Sequence, residues 1–97
     1  MHYRFEWDTF KARANVAKHG VTFDEAKSVF FDRWAIERYD REHSAYEDRL
    51  LIIGRSDHNR VLIVAFTLRD FETIRIISAR RAQQNEENDY EENLRNP

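Results

Sequence analysis

The chain contains no cysteine, which excludes disulfide scaffolds and thiolate metal sites and fits a reducing compartment. It has only two glycines and one proline in 97 residues, so it is not a low-complexity chain. The longest apolar run, Val61 to Phe66, is six residues, far below the roughly 20 that a membrane helix needs. The opening MHYRFEWDTF lacks the apolar stretch of a signal peptide. A soluble, cytoplasmic protein is expected. No Walker loop, dinucleotide fingerprint, nucleophile elbow or H-E-x-x-H motif is present and the four histidines are scattered, so neither a cofactor nor a metal is expected.

What is present is a globular composition, 41% hydrophobic, with seven Phe, four Tyr and two Trp. The length suits one modest core and leaves no room for a second, so residues 1–97 are read as a single domain. The net charge of -2 is unevenly spread: residues 1–82 carry 15 Lys+Arg against 13 Asp+Glu, while residues 83–97 carry five acids and one Arg. The body is mildly basic and the acidity belongs to the tail. Twelve of the body's 15 basic residues are Arg, the side chain suited to bidentate recognition of phosphate or carboxylate. That points toward a nucleic-acid ligand.

Alternation in MHYRFEWD predicts a first strand. Asp8 is placed to cap a helix from about Thr9 to Lys18, with Phe10, Ala14 and Ala17 inward and Lys11, Arg13 and Lys18 outward; Gly20 ends it. Thr22 and Glu25 form an S/T-x-x-E capping box with Val21 and Ala26 as its staple, opening a second helix that buries Phe23, Ala26, Val29 and Phe30. Strands are expected at Trp34–Tyr39, Arg49–Arg55, Val61–Leu68 and Phe71–Ser78, with a hairpin turn at Asp57–Asn59 and a long polar connection at Tyr39–Asp48. A final acidic helix is expected from about Ser78, the tail occupying about 79–97. The order β-α-α-β-β-β-β-α predicts an α+β fold, a mostly antiparallel sheet of four to five strands packed with two N-terminal helices and one C-terminal helix.

In ISARRAQQNEENDYEEN this reading puts Arg80 and Arg81 in the first turn of the last helix, capped by Ser78. Cations there oppose the helix dipole, and their i+3 and i+4 neighbours are Gln83, Gln84 and Asn85 rather than acids. Free N–H groups beside two guanidiniums make an anion site, to which Arg75 on the preceding strand adds a third cation. The alternative is that one of the arginines pairs with a remote carboxylate such as Glu72 or Glu47. Glu47 and Arg49, two apart at a strand's start, share one face. Such a pair serves RNA cleavage by 2'-OH attack, the carboxylate taking a proton and the arginine stabilising the phosphorane, and is equally an ordinary cross-strand salt bridge. His19, beside Gly20, is either a general acid or base, or a cap for the last helical carbonyls. Lys11 and Lys18 are either contacts to a polyanion or solvated surface. A DNA-binding helix-turn-helix is opposed by the acids that open the second helix, TFDEAKSVFF.

FEWD, then K-x-x-x-N-x-x-KHGVTFDEA (Lys11, Asn15, Lys18 to Ala26), then IGRS (Ile53 to Ser56), then IRIISARRA (Ile74 to Ala82), in this order, resemble the BrnT family of bacterial toxins over about Phe5 to Ala82. The resemblance implies a RelE-like fold and the toxin half of a type II toxin-antitoxin pair, cleaving RNA without a metal. It also implies inhibition by BrnA, an antitoxin with a DNA-binding ribbon-helix-helix part, in a heterotetramer that represses its own operon. Operator DNA is then met only through the antitoxin. The polar residues of the matching segments are Lys11, Lys18, His19, Arg55, Arg75, Arg80 and Arg81. With Glu47 and Arg49 from the strand-face argument, the expected catalytic set is His19, Glu47, Arg49, Arg75 and Arg80, and the RNA-binding set Lys11, Lys18, Arg55 and Arg81. The alternative is a non-catalytic or weakly active antitoxin-binding module acting as corepressor. The acidic run departs from the basic surface expected of a free ribonuclease, and would either shield the basic face or contact a basic antitoxin segment.

Overall fold

The longest apolar stretch becomes the centre of the sheet. In the computed structural model, which describes residues 3–45 and 47–96, strand β4 (Val61–Arg69) is buried from Val61 through Thr67. A strand buried on both faces needs neighbours on both sides and cover above and below. β3 (Leu50–Arg55) and β5 (Thr73–Arg81) flank it antiparallel, β2 (Ile36–Tyr39) adds antiparallel to β3, and β1 (Arg4–Glu6) adds parallel to β5. The sheet order is β1-β5-β4-β3-β2. Helices α1 (Thr9–His19), α2 (Phe23–Ser28) and α3 (Gln84–Arg95) complete the expected order and the α+β class. His2 of the expected first strand and Tyr46 of the expected polar connection lie outside the described residues.

Local signals act as read at the first two helices. The Asp8 carboxylate accepts the Lys11 N–H at 3.0 Å, and Gly20, at φ 68°, closes α1 with its N–H on the Val16 carbonyl. Thr22 Oγ accepts the Glu25 N–H at 3.0 Å to start α2. The reciprocal half of that capping box is not used. The Glu25 carboxylate is buried and turns inward instead, held by the Arg60 guanidinium and by the Ser56 hydroxyl at 2.6 Å.

α2 and the 3-10 turn behind it cover one face of the sheet, where Phe23, Ala26 and Val29 pack on Ile52, Leu62, Val64, Phe66, Ile74 and Ile76. Gly54 permits this closeness: a Cβ there would lie 2.9 Å from Val29 and 3.0 Å from Ala35. On the opposite face α3 sets Tyr90 against Ile53, Val61 and Ile63. The Tyr90 hydroxyl donates to Asp32 at 2.6 Å and the Asn93 amide to the Trp34 carbonyl at 2.9 Å, so α3 is pinned to the segment before β2.

Two expectations are corrected. α1 does not turn Phe10, Ala14 and Ala17 inward: all three are exposed, and its one buried residue is Asn15. The Asn15 amide donates to the carbonyls of Val21 and Ala79 and accepts the Ala79 N–H, so α1 lies along the outer edge of β5 and satisfies backbone groups there in place of another strand. Nor does a helix begin near Ser78. Ala65 faces Ser78 but Phe66 faces Ile76, leaving Ile77 as an extra residue in β5. This bulge resets the alternation, and β5 runs on to Arg81 because β4 still offers Leu62, Ile63 and Val64 as partners. The helix starts at Gln84, with Gln83 as cap and Glu86 completing a capping box.

Candidate functional site

Moving the helix start by six residues moves Arg80 and Arg81 onto the sheet. The first-turn anion site is therefore absent, and α3 has Glu86 and Glu87 in its first turn and Arg95 in its last, in keeping with its dipole. Cross-strand partners share a face. Arg80 is opposite Ile63, Ser78 opposite Ala65, Ala65 opposite Leu51, and Arg75 opposite Thr67 and Glu6. Arg75 and Arg80 thus project from the face that α3 covers only at its Ile53–Val61 end, and Arg49, two residues before Leu51, follows the same alternation.

The uncovered part is a cleft of about 340 Å³. Leu51, Ile63 and Ala65 form its floor, with Arg49, Ser78 and Arg80 around it. Its remaining wall comes from Asp40 and the 3-10 turn Arg41–His43, which contributes Glu42 and His43. His43 Nδ1 lies 3.0 and 3.2 Å from the two Asp40 oxygens. An ionised carboxylate only accepts, so Nδ1 is the nitrogen that donates to it, and in the neutral ring the lone pair then lies on Nε2.

The two cleft arginines differ in their bonding. Arg80 makes parallel bonds of 2.9 Å to both Glu86 oxygens and a third, of 3.2 Å, to the Arg81 carbonyl. The Glu86 hydrogen bonds and charge raise the Arg80 pKa above the usual arginine range. Arg80 in turn holds the Glu86 carboxyl below the usual carboxylate range; burial opposes this and the Gln83 N–H assists. Glu86, one residue beyond the acid-free spacing read from the sequence, is therefore the partner of Arg80. Arg49 is half-buried and its Nε has no hydrogen-bond partner among the described residues.

The other expected residues divide by position. Arg75 bonds Glu6 at 2.7 Å; Glu6 lies 3.9 Å from Arg69, whose guanidinium is 3.7 Å from Glu47. Glu47 thus connects to Arg75 through two intervening charges, and it lines a neighbouring hollow with Tyr39 and Thr67 rather than the arginine cleft. Lys11, Lys18 and His19 stand on α1 and do not line the cleft. Arg55 lies beyond Tyr90, 5.7 Å over its ring and bonded to Asn59 at 3.0 Å, in a separate pocket. Arg81, exposed at the end of β5, projects to the opposite face from Arg80. Sequence reading passed over His43, Asp40 and Ser78. The signal for the first two was the D-x-x-H spacing within a segment read only as a polar connection.

Among the described residues no group of three or more His, Asp or Glu is placed to hold a metal ion, and no helix is long and apolar enough to cross a membrane. The profile of a family described as "Ribonuclease toxin, BrnT, of type II toxin-antitoxin system" matches residues 7–86. The crystal structure of the Brucella abortus ribonuclease toxin BrnT superposes with a TM-score of 0.62 at 26% identity, over 84% of this chain and 99% of that one. No curated protein sequence matches.

Proposed function

The chain belongs to the BrnT family of ribonuclease toxins of type II toxin-antitoxin systems, and from that membership we propose that it is an endoribonuclease whose reaction takes place in the cleft between Arg49 and Arg80. The observation that carries the reading is Arg49, whose half-buried guanidinium has a donor without a partner at the wall of a cleft. A buried donor left open costs about 1–3 kcal/mol, and a phosphodiester oxygen would satisfy it. Arg80, fixed by Glu86, supplies the second cation.

In the proposed step His43 Nε2 takes the proton of a ribose 2'-OH, and the oxygen attacks the adjacent phosphorus. The P–O5' bond then breaks, giving a 2',3'-cyclic phosphate and a 5'-OH once the leaving oxygen is protonated. Asp40 holds the imidazole and stabilises its charged form. Arg49 and Arg80 offset the charge that builds on the phosphorane oxygens. The arginines do the work a Lewis acid would otherwise do, so the reaction is proposed to need no metal. Arg75, with Glu6, extends the positive face along β5, and Glu47 reaches Arg75 only through Arg69 and Glu6. Lys11, Lys18, Arg55 and Arg81 are left as peripheral contacts to a longer RNA. The partner implied by the family is a cognate antitoxin, proposed to be of the ribbon-helix-helix kind and to carry any contact with operator DNA.

Purified protein incubated with total RNA is expected to give cyclic-phosphate ends with or without EDTA, and Arg49→Ala and His43→Ala are each expected to lower the rate at least about 100-fold. Cleavage that survives both substitutions would move the reaction elsewhere, and no cleavage at any ratio would leave the corepressor reading. That second reading is favoured by one observation: the bidentate Glu86 pair leaves Arg80 fewer donors for RNA.

A further inference from the structure

The sheet ends at β2, which pairs only with β3 among the described residues. The Asp40 N–H bonds the Arg49 carbonyl, and antiparallel alternation then directs the backbone of Ile36 and Arg38 to β3 and that of Glu37 and Tyr39 outward. No described residue accepts from or donates to those outward groups. Glu37, Arg38 and Tyr39 are exposed. β2 therefore presents a short ladder of free N–H and C=O groups, a template for one more strand.

The two sides of that edge differ in chemistry. On the α3 side a groove of about 290 Å³ is lined by Ile36, Arg38, Asp89, Glu92, Asn93 and Asn96. Arg38 is already paired with Asp89 at 2.8 Å, while Glu87, Glu91 and Glu92 have no ion-pair partner among the described residues. On the other side a hollow of about 120 Å³ is lined by Leu50, Ile52, Phe66 and Leu68 beside Glu37. A strand added to β2 would point alternate side chains to these two sides. Residues 87–95 of α3, which supply most of the acids, fall outside the family match at 7–86.

We propose that β2 is the docking edge for an extended segment of the cognate antitoxin, which pairs with Glu37 and Tyr39 and directs basic side chains toward α3 and apolar ones toward Leu50 and Leu68. This rests on the antitoxin reading above. RNA is a poor occupant because α3 repels it. A second copy pairing edge to edge would bring two acidic helices together, which like charges oppose.

The test uses the full chain and the antitoxin encoded beside it, with amide hydrogen exchange and a binding titration at two salt concentrations. Glu37→Pro removes an outward N–H without removing a bond to β3, and Glu92→Lys reverses an exposed charge on α3. The expected result is protection of the Glu37 and Tyr39 amides in the complex, at least tenfold weaker binding for each variant, and a smaller salt dependence for Glu92→Lys. Should Glu37→Pro fail to fold by circular dichroism, Glu92→Lys and the exchange data decide alone. Tight binding with unprotected β2 amides and wild-type affinity for Glu92→Lys would overturn the docking edge and leave the antitoxin reading standing. No complex at micromolar concentration would overturn both. A dimer of this chain alone, held through protected β2 amides, would show that a second copy occupies the edge.

Discussion

At Arg80 both terminal nitrogens of the guanidinium already meet carboxylate, whereas at Arg49, across the same cleft, a buried nitrogen meets nothing described. The contrast suggests a division of labour in which Arg80 is aimed before substrate arrives and Arg49 is completed by it. Glu86→Gln preserves shape while removing the charge that locks Arg80. We expect KM for RNA to fall a fewfold as the cleft becomes more positive, and kcat to fall roughly tenfold as the guanidinium loses its fixed orientation. Steady-state kinetics on a short RNA would check this, and unchanged values of both would remove Arg80 from the substrate's path. The same variant should lose about 1 kcal/mol of stability, because it removes the charge that faces Arg80 and a carboxylate from the first turn of α3.

α3 is an element held by few, specific contacts. Burial first, and the Asp32 hydrogen bond second, push the Tyr90 hydroxyl up to about 12. Tyr90→Phe removes a bond to a charged acceptor and should cost about 2 kcal/mol, a fall in Tm on the order of 10 °C for a chain of this size, read by thermal unfolding. The raised hydroxyl value means that this contribution is complete below pH 10 and is lost as pH rises toward 12, so the difference between wild type and variant should shrink over that window. β5 shows why the start of this helix was not legible in sequence. A one-residue bulge at Ile77 breaks the period-two pattern just where Ser78 mimics a cap, and Gln83, the cap in the structure, is not a usual one.

For the whole molecule, what could be read was local. Alternation, Asp8, Gly20 and Thr22 were enough for the order of elements, because each acts on neighbours within four residues. The bonds that set elements against one another join Asn15 to Ala79, Glu25 to Arg60 and Tyr90 to Asp32, and no periodicity announces a partner 64, 35 or 58 positions away. For the same reason Arg80, read as a first-turn helix residue, was not expected to share a sheet face with Arg49, and His43 was not noticed.

These long-range bonds also govern acid stability. Arg60, against the opposition of burial and with help from Ser56, holds Glu25 below the usual carboxylate range. At Asp32 burial would raise the carboxyl, but N–H groups of Arg55 and Trp34 and the Tyr90 hydroxyl outweigh it. Depressed carboxyls stabilise the fold above their unfolded values, 4.5 for Glu25 and 3.8 for Asp32, and lose that contribution as pH falls through the folded ones. Denaturant midpoints should therefore be level from pH 7 to about 5 and fall steeply below, and Glu25→Gln should lower the neutral plateau and flatten the acid limb. An unchanged acid limb in that variant would assign the loss to other groups.

Asn15 has one more effect. By occupying the Ala79 backbone it stoppers that stretch of β5, beyond which the only strand among the described residues is the three-residue β1. A ladder that reaches this molecule through β2 finds, beyond β5, a free edge only as long as the three residues of β1. So short an edge makes the protein more a terminus than a link, and at high concentration its strand pairing is expected to stop at discrete particles, which light scattering would distinguish from filaments.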